Sequence, residues 1–297
     1  MSTLQLFLLG PPRVELAQQS VAIPRRKAQA LLFFLAVTGV AQPRATLGTL
    51  LWPGHNQQQA HGSLRRHLSE LNLLLGHDCL VGDRESVRLA QTASLWLDVA
   101  EFHQAVAQCQ THGHPPYDVC RVCLTPLTRA TTLYRDDFLT GFTLPACPAF
   151  DEWQFFQTET HRQILATALE RLVHLHMDQN EPDTALTYAR RRLPLDPLHE
   201  PAHRQLMRLY AATGQLAAAI RQYERCVRTL WEELEAPPEA ETVALYEQIR
   251  RGRGQASRST ETGSAGNVPL RAPGEALSPP RLAPALAHNL PVQTTLF

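Results

Sequence analysis

The stretch Asn56 to Gly76, NQQQAHGSLRRHLSELNLLLG, constrains the fold more than any other in the chain. Asn56 followed by Gln59 has the spacing of a capping box, which gives the first free N–H groups of a helix their acceptors. Gly76 supplies a left-handed stop. Leu64, Leu68, Leu71 and Leu75 fall at i, i+4, i+7 and i+11, one apolar stripe that must face a core. At about 100° per residue, Gln58, Gly62, Arg65, Arg66 and Ser69 share the opposite arc. Amides, guanidinium groups and hydroxyls on one face suit base edges and phosphates. A polar helix face is equally the ordinary solvated side of a surface helix, so its neighbours decide its meaning.

Those neighbours form a pattern. Residues 4–9, 13–16 and 20–23 are short β-prone runs broken by turn residues, and suit a small antiparallel sheet. Arg25 to Thr38 reads as a helix with an apolar face of Ala28, Leu31, Leu32, Leu35 and Ala36, closed by Gly39. Arg44 to Trp52 is a shorter helix bounded by Pro43 and Pro53. After the organising helix, 79–81 and 87–89 flank the turn-rich Gly82-Asp83-Arg84-Glu85-Ser86 and predict a hairpin. Strands, three helices and a hairpin are the layout of a winged helix-turn-helix. Its third helix enters the major groove and its hairpin is the wing.

Charge agrees with a division of labour. The chain is neutral overall, but residues 1–100 carry nine Arg or Lys against six Asp or Glu, and residues 101–250 carry fourteen against twenty. Nucleic-acid contact is therefore expected of the head alone. Lys27 is the single lysine among 28 basic residues. No apolar run is long enough to span a membrane and no signal peptide opens the chain, so a cytoplasmic protein is expected.

From Trp96 onward the pattern is helical, at about 99–110, 121–135, 149–178, 182–192, 198–213, 216–234 and 240–250, with no further strand. Asp98 and Glu101 have capping-box spacing. Asn180, Ala185, Leu186 and Ala189 recur 34 residues later as Gly214, Ala219, Ile220 and Tyr223, the tetratricopeptide period. Such stacks expose a concave surface to partners. Trp153, Phe155 and Phe156 read as core packing. Arg190, Arg191 and Arg192 close a helix, where the helix dipole favours cations. From Arg251 the chain turns rich in Gly, Ser, Ala and Pro, the composition of a disordered tail. The expected domains are 1–93, 94–250 and 251–297.

The segments LLGPPRVEL, IPRRKAQALLFFLA, LGTLLWPG and SLRRHLSELNLLLG resemble the amino-terminal half of the SARP class of bacterial transcriptional activators. WLDVAEF, LYRDDFLTGFTLPACPAFDEW and QYERCVRTLWEELEAPPEAETVALYEQIR resemble the activator domain that follows it, and together the likeness spans roughly residues 4–250. The resemblance implies an OmpR-type winged helix joined to a tetratricopeptide-like helical array. It implies binding to promoter DNA, usually at direct repeats, and contact with RNA polymerase or self-association through the array. By position, Arg65 and Arg66, and Arg25, Arg26 and Lys27 at the start of the first helix, match basic residues of the family. Arg84 and Arg88 in the wing add phosphate or minor-groove candidates. Glu70 and Asn72 stand where relatives often carry a basic pair. Leu73 falls outward, to be covered by the wing or by a partner.

Two other readings stay open. The chain could be a protein-interaction scaffold whose winged helix no longer binds DNA, as its zero net charge and Glu70, Asn72 and Leu73 suggest. It could be a zinc-responsive regulator: Cys109, His112, Cys120 and Cys123 have spacings within reach of a tetrahedral structural site, with His114 able to replace His112. The alternative for that loop is a pair of helix-end thiols facing the core. Cys79, Cys147 and Cys226 stand alone and should be buried. No phosphate loop, HExxH or nucleophile–base pair is present, so an enzyme is not expected and no cofactor other than zinc is implied.

Overall fold

The structure is a computed structural model that describes residues 3–76, 79–90, 95–111, 113 and 120–261, with the side chains of 253–261 left aside. Residues Met1–Arg253 form one compact unit, and the expected tail beyond Glu261 lies outside the described residues.

The amino-terminal sheet has the order β3-β2-β1-β7, from β1 (Leu4–Phe7), β2 (Arg13–Leu16), β3 (Gln19–Ser20) and β7 (Leu95–Leu97). The third strand occupies 19–20, not 20–23, because Ala17 and Gln18 take positive φ values of 51° and 66° and reverse the chain in two residues. No strand was expected after the hairpin, yet β7 pairs parallel with β1, Leu4 against Leu95. Three residues are too few for periodicity to reveal, and the two expected domains therefore share a sheet.

Next come α1 (Arg26–Thr38), β4 (Gln42–Pro43), α2 (Arg44–Leu51) and α3 (Gln57–Leu75). A second sheet, β4-β6-β5, joins β5 (Leu80–Gly82) and β6 (Ser86–Leu89) as the wing. This is a winged helix-turn-helix. The apolar face expected of α1 is buried, and Ala30, Phe33 and Phe34 are buried too, so α1 is enclosed almost all round. Gly39 ends it at φ 65° and donates its N–H to the Leu35 carbonyl.

The array follows as α4 (Asp98–Gln108), α5 (Leu124–Leu133), α6 (Pro148–Asp178), α7 (Pro182–Arg192), α8 (Glu200–Ala212), α9 (Leu216–Leu234) and α10 (Ala240–Glu261). The 34-residue repeat is realised in space. Asn180 between α6 and α7, and Gly214 between α8 and α9, both turn the chain at positive φ, 58° and 73°. Ala185 and Ala219, also 34 apart, are both fully buried where their hairpins close. Helix α10 continues eleven residues past the expected end at 250.

Asp98 does not cap α4. The cap position is Leu97, without a side-chain bond. The Asp98 carboxylate instead accepts the Leu8 N–H at 2.8 Å and the Leu9 N–H at 3.0 Å, and meets Arg135 at 3.3 Å. Burial pushes its carboxyl above the usual range, while those N–H groups and Arg135 pull the other way. Around this clasp one hydrophobic core runs from the winged helix into the array, with Phe33 against Phe142 and Phe34 against Trp153. Leu139 N–H donates to the Leu8 carbonyl, and the Cys147 thiol to that of Leu51. The head cannot pivot freely on such a joint. Trp153 packs as expected. Phe155 and Phe156 do not, being 60% and 58% exposed. They sit a quarter and a half turn around α6 from the buried stripe, a phase that a helix buried on several sides hides from periodicity.

Candidate nucleic-acid interface

The capping box forms as expected: Asn56 Oδ1 accepts the Gln59 N–H at 2.9 Å, and Gln59 Oε1 accepts the Asn56 N–H at 3.3 Å. Gly76 leaves the helix at φ 99° and ψ 144°, a glycine conformation but an extended one. The inner stripe of α3, with Ala60, Leu64, Leu68, Leu71 and Leu75, is buried. Gly48 of α2 lets the two helices close, since a Cβ there would lie 3.3 Å from that of Ala60. Trp52 packs on the His67 ring, whose Nδ1 meets the Ser63 carbonyl at 2.7 Å. These contacts fix the rotation of α3 about its axis.

That rotation puts Gln58, Gly62, Arg65, Arg66 and Ser69 outward and exposed, in one stripe. Arg66 leans back to Ser63 Oγ at 3.3 Å. A Cβ on Gly62 would meet nothing within 4 Å, so no packing requirement accounts for the glycine. Leu73 is 75% exposed, so the wing does not cover it.

The wing stands beside this stripe. Asp83 Oδ1 accepts the N–H groups of Glu85 and Ser86, each at 2.7 Å, and these bonds hold its carboxyl below the usual range. Gly82 is required, because a Cβ would lie 2.9 Å from the Ser86 carbonyl oxygen. Arg44, at the start of α2, donates from Nε to the Asp83 carbonyl at 2.9 Å and from its backbone N–H to Glu85 at 2.8 Å. Sequence reasoning missed Arg44, whose role depends on a wing 39 residues away. Arg84 at the wing tip is exposed and Arg88 is half-buried.

Between α3 and the wing lies a cleft of about 460 Å³, lined by Arg44, His61, Arg65, Ser69, Asn72 and Arg84 among others. Nε2 of His61 and Oδ1 of Asn72 are buried there with no partner in the protein. Neither is among the sequence candidates for DNA contact.

The basic start of α1 is placed differently. Arg25 pairs with Glu70 of α3 at 3.4 Å. Arg26 donates to the carbonyl and hydroxyl of Thr143, both at 2.9 Å, tying α1 to the array. Lys27 lies over the Trp52 ring, 5.5 Å from its centre. These three side chains have intramolecular work.

Of the zinc candidates, Cys120 and Cys123 place their sulfurs 3.7 Å apart, and Cys109 joins Cys123 in a buried apolar cluster. Burial pushes the Cys109 thiol up to about 12. His112 and His114 lie outside the described residues. Among the described residues no group of three or more His, Cys, Asp or Glu side chains is arranged to hold a metal. Cys79, Cys147 and Cys226 are buried.

A winged helix fused to a tetratricopeptide-like array is the architecture of SARP-type bacterial transcriptional activators. The chain belongs to the bacterial transcriptional activator domain family, whose model matches residues 97–250. Among solved structures, it is similar to EmbR of Mycobacterium tuberculosis, determined in complex with a low-affinity phosphopeptide. The TM-score is 0.65 at 20% identity, over 89% of this chain and 70% of that one, a likeness that speaks for the fold. No curated protein matches the chain in sequence. Among the described residues no helix is long and apolar enough to cross a membrane.

Proposed function

We propose that this protein is a sequence-specific DNA-binding activator, in which residues 1–93 read promoter DNA and residues 94–250 meet RNA polymerase or a second copy of the chain. The observation that carries the reading is the exposed stripe Gln58, Gly62, Arg65, Arg66 and Ser69, set beside a wing tipped by Arg84. A helix with such a stripe enters the major groove, and a guanidinium fork pairs well with guanine or phosphate. His61 and Asn72, with unpartnered polar atoms in the adjoining cleft, extend the polar face. Arg25 pairs with α3, Lys27 lies over Trp52 and Arg26 ties α1 to the array, and Arg84 and Arg88 are left for the flanking backbone. The direct repeats usual for the family call for a head-to-tail pair on DNA.

The test is a pulldown of genomic fragments with wild type and an Arg65→Ala/Arg66→Ala double variant at two salt concentrations. Enrichment of a few promoters, lost in the variant and weakened by salt, supports the reading. On an enriched site, loss of two phosphate contacts reduces the salt slope by about 1.8. No enrichment over the variant at either salt overturns it in favour of a protein-interaction scaffold.

A further inference from the structure

Helices α6, α7 and α8 enclose a second cleft, of about 420 Å³, in the array. Its base is apolar: Val173 from α6, and Ala202 and Leu209 from α8, are all buried. Met177, 41% exposed, offers an adaptable thioether at the mouth.

One wall is charged. Arg192, the last residue of α7, lines the cleft and is only 7% exposed. No carboxylate lies within ion-pair distance of it among the described residues, and its Nη1 has no hydrogen-bond acceptor. Its Nη2 meets only His199 Nδ1, at 3.4 Å. The contrast is Arg204, equally buried, which pairs with Glu239 and Glu241 and donates to Thr242. The carbonyl end of α7 tolerates a cation but leaves that N–H unmet. Arg208 and His174 stand at the rim with a single opposing carboxylate, Glu170. An anion is wanted at the Arg192 end and an apolar body at the other. Glu170 would repel a second negative charge.

We propose that this cleft is a binding site for a small monocarboxylate with an apolar body, its carboxylate held by Arg192 and its hydrocarbon lying over Val173 and Leu209. The volume is in the range of small-molecule pockets. A guanidinium fork matches a carboxylate with two parallel bonds. A ligand seated there bridges the α6/α7 hairpin to α8, the step from one repeat to the next.

The test titrates the full chain with octanoate, with neutral octanamide and with inorganic phosphate, read by ligand-observed NMR saturation transfer. Octanoate is expected to bind saturably, with octanamide and phosphate each at least about tenfold weaker. Two variants probe the site. Arg192→Met removes the charge, and Ala212→Trp fills the mouth from an exposed position, leaving the core untouched if the first fails to fold. Each folded variant should lose octanoate binding at least about tenfold. Equal binding of octanoate and octanamide, phosphate binding as well as octanoate, octanoate binding that survives Ala212→Trp, or no octanoate binding up to about 10 mM, each overturns the proposal. None of these readouts involves DNA.

Discussion

Gly62→Ala separates folding from DNA reading, because the two should move in opposite directions. Gly62 lies inside α3, is exposed, and has open space where a Cβ would go. Replacing a helical glycine by alanine gains about 0.8–1 kcal/mol of helix propensity. Part of that gain comes from restricting the unfolded chain. Nothing in the structure offsets it, so the melting temperature should rise by about 2–4 °C in a unit of this size. The added methyl also projects from the middle of the stripe that would lie in the major groove. If the backbone there approaches DNA closely, forcing a methyl into that contact costs about 1–3 kcal/mol, roughly 5- to 150-fold in affinity. Thermal melts and binding to a site selected by pulldown, done on the same preparation, give both numbers. A more stable protein that binds more weakly cannot be explained by misfolding. Higher stability with unchanged affinity refutes the placement of Gly62 against DNA. Lower stability refutes the claim that its Cβ direction is open.

Three further outcomes follow from the interior. His161 sits among Phe102, Phe138 and His103, its one polar contact being with the Gln157 backbone. Burial, with a smaller push from His103, lowers its pKa to about 4. A histidine depressed from 6.5 lends stability that is present above pH 6.5 and is lost as pH falls toward 4, a loss on the order of 3 kcal/mol. His161→Phe should flatten that acid limb by about 3 kcal/mol in urea titrations; an unchanged limb rules His161 out as its source. Asp98→Ala strands the Leu8 and Leu9 N–H groups and Arg135. It should cost about 3 kcal/mol in urea unfolding, and a loss below about 1 kcal/mol would show the clasp to be dispensable. Burial opposes the Cys120 thiolate, but hydrogen bonds from the Cys123 N–H and thiol outweigh it and lower the Cys120 pKa, while Cys109 is pushed up to about 12. Mass spectrometry after brief alkylation at neutral pH should find Cys120 modified well before Cys109, and the reverse order would contradict the burial assigned to the two thiols.

What the chain determines locally was readable from it. The capping box, the leucine stripe of α3 and the arc opposite depend on spacings within one helix, and hydrogen bonding and burial reproduce them. The 34-residue repeat was equally legible, because each hairpin needs a small residue at its crossing and a positive φ at its turn. Tertiary structure decided what rests on groups far apart in sequence. Asp98 has the spacing of a cap, but partners 90 residues away outcompete its own helix once the core closes around it. That Arg26 also ties α1 to the array appears only once Thr143, 117 residues on, is brought against it. Arg192 looks like a favourable helix end until α6 and α8 bury it beside a cleft without an acid to meet it. Periodicity reports which face of an element is apolar. Which partner each polar group finds is settled only when the faces come together, since a hydrogen bond depends on a few tenths of an ångström and not on a period.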